Sequence, residues 1–256
     1  MNISEKGYLA IKELLYKMAD DQLIIGHRNS EWTGLGPVLE EDIAFSSMAQ
    51  DKIGQSLALY DILHQMGESD PDTIAFMRNA EQFHCCHLVE YPIGEYEFSL
   101  MRHFMFDFAE LCRFEMLASS SFEPLSMLSR KLKGEIKYHT MHAEIWIKQL
   151  GAATQESNSR MQAALDMVFP LALGIFEPGD YEDTLAEEQI FEGEKALEMR
   201  WLELIAPIVE KAGLVMPDRT TLSPVYGGRK GTHTPFLQPM LDEMTEVFRI
   251  DPAAEW

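Results

Sequence analysis

Cysteine is scarce in this 256-residue chain: Cys85, Cys86 and Cys112 are the whole complement. Three thiols cannot all pair, and neighbours such as Cys85 and Cys86 seldom bridge because the geometry is strained. A disulfide scaffold is therefore excluded and a reducing, cytoplasmic setting is expected. Positive charge is scarce as well. Lys and Arg total 21 against 42 Asp and Glu, a formal net charge of -21, which leaves no domain-wide basic face to neutralise phosphates and argues against nucleic acid and anionic membrane as partners. Nowhere do about 18 uncharged apolar residues follow one another, and Glu5, Glu13 and Asp20 interrupt the N-terminal stretch, so neither a signal peptide nor a membrane-spanning helix is expected. Runs with β-branched, period-two alternation are nearly missing, which removes sheet folds. The glycines of 26–36 and 227–231 lack the flanking strands that a phosphate loop, a dinucleotide fingerprint or a nucleophile elbow requires.

What remains is the composition of a folded helical protein: 46% apolar and 25% charged residues, with 16 Gly and 12 Pro, far from a disordered or collagen-like chain. Sixteen Met and 14 Phe fit a large core filled partly by adaptable side chains. The length allows one large domain or two small ones; a single domain over 1–256 is expected, with no internal repeat or low-complexity tract. Leu132, Ile136, His139, Ala143, Trp146 and Leu150 advance by alternating steps of four and three, the spacing of a helix along a bundle seam. A second helix is predicted over about 38–66, with Leu39, Ile43, Ile53, Leu57, Tyr60 and Leu63 as its apolar positions and Gly67 as terminator. Residues 98–111 are apolar nearly all round, which marks a central helix with Asp107 in its middle. With a first helix over roughly 5–26 and a fourth beginning near Pro124, four long helices predict an all-α, four-helix bundle. Residues 67–97 are long enough for the crossover connection of a ferritin-like topology. Further helices over about 157–176 and 184–212, and a short one carrying Leu237, Leu241, Met244 and Phe248, are expected to pad the bundle.

A bundle with carboxylates turned inward suggests a di-iron or di-manganese centre, which takes one carboxylate from each of two helices and a Glu-x-x-His pair from each of the other two. The literal acid-x-x-His matches are Asp61 with His64 and Glu81 with His84, and both read as solvated surface pairs. Glu81, His84, Cys85, Cys86 and His87 offer a zinc reading, but no second Cys or His pair stands at the spacing of structural zinc sites. The interior candidates are Asp51, Asp107, Glu135 and His139. A carboxylate between Phe106 and Phe108 needs a partner or a metal, and His139 is a candidate partner for Asp107. Glu135 and His139, four apart, read as ligands of one metal or as a buried hydrogen-bonded pair. As a metal set the group is incomplete, because Gly54 and Tyr138 follow Asp51 and Glu135 by three, and Ile136 precedes His139 by three. The tract GGRKGTHT, Gly227 to Thr234, is a basic, glycine-rich island in an acidic chain, suited to an anion, to an acidic partner surface, or to a plain turn.

That tract, followed by Leu237, Met240-Leu241 and Glu243-Met244 and closing at Trp256, resembles the C-terminus of the PaaC family, ferritin-like subunits of bacterial phenylacetyl-CoA epoxidases. Arg28 with Glu31-Trp32, then Leu39-Glu40, Asp42, Asp51, Gly54-Gln55, Asp72-Thr73, Ala75-Phe76, and 133–139 with Trp146 fall in family order, so the resemblance covers essentially the whole chain. It implies a structural, non-catalytic subunit of a multicomponent monooxygenase that epoxidises the ring of phenylacetyl-CoA in aerobic phenylacetate degradation. The implied partners are a homologous di-iron subunit, PaaA, which this chain pairs with and supports, a reductase with flavin and iron-sulfur centres fed by NADPH, and small accessory subunits; no cofactor is implied in this chain. Asp20, Asp51, Asp107, Glu135 and His139 then read as a degenerate metal constellation, with Gly54 and Ile136 standing where ligands of a working site are expected. Lys52 and Lys137, each one residue past an interior position, are poorly placed to supply charge in the metal's stead. Arg229, Lys230 and His233 become candidates for contact with PaaA or with CoA phosphates. Two readings compete: a catalytic ferritin-like oxygenase using an irregular Asp51, Asp107, Glu135 and His139 site, and a stand-alone ferritin-like binding protein. An exposed apolar strip would mark a face that meets PaaA.

Overall fold

In the computed structural model, which describes residues 3–254, no strand occurs among the described residues; Trp256 lies outside them. Helix α1 (Glu5–Ser30) begins at Ser4, whose hydroxyl accepts a hydrogen bond from Gly7 N at 2.9 Å and so satisfies one of the open N–H groups of the first turn. Helix α2 (Leu39–Gln65) ends where Gly67 takes φ 95°. The predicted stop of the first helix at Gly26 is corrected: a Cβ there would stand 3.0 Å from Ile53 and 3.1 Å from Lys52, so the glycine marks close approach of α1 to α2, and the helix continues to Ser30.

The crossover that follows carries two short helices, α3 (Pro71–Phe76), with Asp70 as N-cap, and α4 (His87–Glu90). Helices α5 (Tyr96–Leu117) and α6 (Glu123–Ala153) complete the set of four, and Pro124 sits in the first turn of α6, where its missing N–H leaves no bond unmade. Helix α7 (Gln155–Ala172) follows after Thr154, whose hydroxyl caps it through Ser157 N at 3.1 Å. The predicted helix over 184–212 is two helices, α8 (Glu182–Glu187) and α9 (Glu194–Lys211), because Gln189 and Gly193 between them adopt φ 57° and 98°. Helix α10 (Leu237–Thr245) is the last.

The pairs α1–α2 and α5–α6 pack side by side, α2 meets α6, and α7 and α9 cover α5 and α6. Two helical hairpins joined by a long crossover between the second and third helices make a ferritin-like bundle with added C-terminal helices. One cluster of buried apolar side chains reaches from Ala10 in α1 to Leu241 in α10, and Trp201 of α9 is tied to it by a hydrogen bond from Nε1 to Met105 O at 3.0 Å. No described helix is long and apolar enough to cross a membrane.

Helix α2 departs from its predicted orientation. Of its predicted apolar positions Tyr60 and Leu63 are buried, but Leu39, Ile43, Ile53 and Leu57 are 69%, 61%, 41% and 48% exposed; the fully buried seam runs Phe45, Met48, Lys52, Gln55, Leu59 and Leu63. The helix is apolar on two sides, and the side facing the bundle is the one that carries a lysine and a glutamine.

Candidate functional site

The centre of the bundle is ionic. Helix α5 places Asp107 there with no exposure, and Lys52 Nζ from α2 pairs with its Oδ1. One turn before it on α5, His103 lies with Nδ1 against Oδ2. His139 of α6 stands 3.7 Å from Oδ1 through Nδ1 and through Nε2 meets Asp51 Oδ2 at 3.0 Å. Asp51 is the only member of this group with a partly open side chain, 33% exposed. Beside it His142 Nε2 meets the Glu41 carboxylate at 3.0 Å and 3.1 Å, and Tyr96 donates to the same group at 2.6 Å.

Each buried charge is set by its neighbours. Burial alone would raise the Asp107 carboxyl, but His103 and Lys52 hold it well below the usual carboxylate range. Burial pushes His103 down to about 4 against the pull of Asp107. His139 is moved up: burial opposes its charge, and the carboxylates of Asp107 and Asp51 outweigh that. Further along the bundle Glu110 accepts from Gln22 at 2.8 Å and from Arg113 at 2.9 Å, and Arg113 reaches Glu194 at 2.6 Å. Lys17 closes on Glu194; although burial would raise it, Arg113 and Lys17 hold that carboxyl down to about 2.

A pH dependence follows from His103. In the unfolded chain its imidazole titrates near 6.5, whereas folded it stays neutral down to about 4. Stability is thus fully present above the unfolded value and lost as pH falls between the two. His139, raised when folded, has the opposite sign: its contribution is present at low pH and fades as pH rises through its folded value. His103→Gln is expected to flatten the fall in thermal midpoint between about pH 7 and 5; an unchanged slope would assign that limb to other groups.

The expected metal-type residues are not all brought together. Asp51, Asp107 and His139 are. Asp20 is buried elsewhere, accepting from Tyr60 at 2.5 Å, from Arg78 at 2.5 Å and 3.0 Å, and from His84 N at 2.7 Å. Glu135, half-buried, accepts from Gln55 at 3.1 Å rather than pairing with His139. A side chain at Gly54 would point into open space, so that position faces outward and is no ligand position, contrary to expectation. Asp107 has Lys52 and His103, not His139, as its closest partners. Lys52, expected to be poorly placed, is the residue that supplies charge to Asp107, while His103, His142, Glu41 and Gln55 were missed. A di-metal centre asks for carboxylates from all four helices and two Glu-x-x-His pairs. Here α1 sends none to the cluster, its Asp20 and Asp21 being bound to arginines, and an ammonium occupies the one fully buried carboxylate. The donor set does not fit two metals.

The basic island is also corrected. Arg229 is buried and holds Asp21 with two parallel hydrogen bonds, 2.8 Å and 2.7 Å, while donating to the carbonyls of Lys17, His84 and Ile175 at 3.2, 2.8 and 3.0 Å. His233 bridges Glu90 Oε1 at 2.8 Å and Phe83 O at 3.0 Å. Both side chains are thus engaged within this chain. Only Lys230 is exposed, 3.0 Å from Asp180. The glycines let this loop lie on the crossover: no Cβ would fit at Gly228 against Cys85 O, and Gly231 takes φ 75°. In the zinc group, His84 and His87 hold the carbonyls of Arg229 and Thr232 at 2.9 Å and 2.6 Å. Cys85 instead lies 3.8 Å from Glu90 Oε1 and 4.0 Å from His233 Nδ1. There burial and the nearby Glu90 push its thiol well up, away from the thiolate that binds metal.

Fold and interior together define a ferritin-like bundle whose centre is neutralised by its own side chains. The phenylacetic acid catabolic protein family model matches residues 3–256, and the chain belongs to that family. It is similar to a subunit of the 1,2-phenylacetyl-CoA epoxidase of Escherichia coli (strain K12), with 30% identity over 241 residues, 94% of this chain and 96% of the relative.

Proposed function

We propose that this chain is the structural, non-catalytic subunit of a phenylacetyl-CoA ring epoxidase in phenylacetate catabolism, pairing with a homologous PaaA-type subunit that carries the di-iron centre. The observation that carries this reading is the Lys52–Asp107 pair at the bundle centre, where a working di-iron protein needs free carboxylates. Substrate oxidation then belongs to the partner, and the flavin and iron-sulfur reductase delivers its electrons there. What this chain offers is a surface. The outward residues of α2 from Ile43 to Leu57, among them Ser47, Gln50, Ile53 and Gly54, are uncharged apart from the partly open Asp51, and on the adjoining α6 Tyr138, Met141 and Ile145 are 44%, 53% and 53% exposed. In a chain of net charge -21 such a face is suited to burial against another subunit.

The test is iron and manganese content of the chain purified alone and after co-expression with a PaaA-type subunit. The expected result is almost no metal alone and a stoichiometric complex with iron in the partner. About two metal ions per chain in the isolated protein would overturn the reading and make Asp51, Asp107, Glu135 and His139 the first residues to substitute.

A further inference from the structure

Cys85, Glu90 and His233 meet where the loop 227–234 lies on the crossover, and Cys85 and Glu90 are fully buried there. Cys85 Sγ, Glu90 Oε1 and His233 Nδ1 all fall within 4.8 Å of one another. The sulfur stands 3.8 Å from the oxygen and 4.0 Å from the nitrogen, and those two are 2.8 Å apart. Zinc sits about 2.0–2.3 Å from imidazole nitrogen, carboxylate oxygen and thiolate sulfur, and the point equidistant from these three atoms falls within that range of each. The far sides of the histidine and the carboxylate are held as those of metal ligands are held. His233 Nε2 donates to Phe83 O at 3.0 Å, and Glu90 Oε2 accepts from Thr234 N at 2.7 Å and from Thr234 Oγ1 at 2.6 Å. With the ring N–H spent on a carbonyl, Nδ1 of the neutral imidazole and Glu90 Oε1 are both acceptors. A cation has to stand between them, either a proton or a metal ion.

We propose that Cys85, Glu90 and His233 form a site for one zinc ion that clasps the C-terminal loop to the crossover. The donor set of one sulfur, one nitrogen and one oxygen suits zinc and is wrong for magnesium or calcium, which take oxygen alone. The charges also close: the Cys85 thiolate and the Glu90 carboxylate balance a divalent ion, so no net charge is buried. Burial and Glu90 by themselves favour the protonated thiol, and a coordinated ion displaces that proton. Three protein donors leave a fourth position for solvent, and His233, the partly exposed member of the three, marks the side from which an ion reaches it. Of the thiol and imidazole group at 84–87 only Cys85 takes part, and the histidine it needs follows 148 residues later. The site shares no residue with the Lys52–Asp107 centre, so it is independent of the companion-subunit reading and of the iron and manganese counted there.

The probe is Zn2+, titrated into the chelator-treated full-length chain, with Co2+ in its place for spectroscopy. Wild type is expected to bind about one Zn2+ per chain and to gain roughly 5 °C or more in thermal midpoint at zinc about 100-fold above its Kd. Co2+ should bring up a near-ultraviolet thiolate-to-cobalt charge-transfer band. Cys85→Ser keeps the size of the side chain and the Glu90–His233 contact, so it should fold, lose the band and bind zinc more than about 100-fold less tightly. Thr234→Val, which removes one hydrogen bond to Glu90 Oε2, should keep the band and weaken binding about 10-fold; it carries the test if Cys85→Ser does not fold. Cys86→Ser and Cys112→Ser should leave band and affinity unchanged. No saturable zinc binding by wild type, equal binding by Cys85→Ser or Thr234→Val, or loss of the band with Cys86→Ser or Cys112→Ser would each refute the site. In all of these cases the companion-subunit reading stands, because it is tested by iron and manganese and not by zinc.

Discussion

Arg229→Ala is expected to destabilise the fold by about 3–5 kcal/mol, the usual result of removing one partner from a buried ion pair. Asp21 is 1% exposed, and without the guanidinium its carboxylate keeps only a hydrogen bond from Cys86 N at 2.8 Å. Three backbone carbonyls each lose a donor at the same time. For a chain of this length the thermal midpoint should fall by roughly 10 °C or more. Arg229→Lys should recover little, because an ammonium cannot make two parallel bonds to one carboxylate. Arg229→Met combined with Asp21→Asn should recover more, since no unpaired charge is then left inside. Lys230→Ala, at an exposed position, should leave the midpoint unchanged. A midpoint for Arg229→Ala within about 2 °C of wild type, by calorimetry, would show that the pair contributes little and return Arg229 to the role of a ligand-binding side chain.

The same residue shows where reading the sequence succeeds and where it stops. Its neighbours are basic, glycine-rich and set in an acidic chain, the usual signs of an anion loop. What turns it inward is Asp21, 208 residues earlier, and no local pattern contains a contact of that range. The glycines were a true signal of close backbone approach, here to the crossover rather than to a phosphate. Helix α6 was legible because its steps of four and three fall on Leu132, Ile136, His139 and Ala143, all buried. Helix α2 was not, because two stripes compete on it. Hydrophobicity selects Leu39, Ile43, Ile53 and Leu57, yet the stripe that faces the core contains Lys52 and Gln55, whose burial is tolerable only because Asp107 and Glu135 reach them from other helices. A local clue did exist: His103 stands four residues before Asp107, the spacing that sets two side chains on one helix face. Where polar side chains satisfy one another across a bundle, the buried face need not be the most apolar one.

The stripe that hydrophobicity chose wrongly as core becomes the expected contact surface, and its disruption is the largest effect foreseen for the assembly. Ile43→Asp together with Met141→Asp is expected to abolish co-purification with a PaaA-type subunit. Each residue is more than half exposed in the isolated chain, so the folded monomer should tolerate both, as most surface substitutions cost under about 0.5 kcal/mol. In a desolvated interface the two carboxylates would be buried without partners, at several kcal/mol in total, which corresponds to a loss in affinity of about 100-fold or more. Met199→Asp, equally exposed on α9 at 57%, is the matched substitution away from α2 and α6 and should leave pairing intact. Size-exclusion chromatography of co-expressed chains reads the outcome, with the thermal midpoint of each isolated variant as the check on folding. A stable complex from the Ile43 and Met141 double variant would clear the α2–α6 face of any part in the interface. Loss of the complex with Met199→Asp instead would move the interface to α9. Because Asp51 joins this outer face to the buried His139, a partner seated on α2 and α6 would cover the one partly open end of the ionic centre. The expected contact surface and the ionic interior are thus two sides of the same two helices.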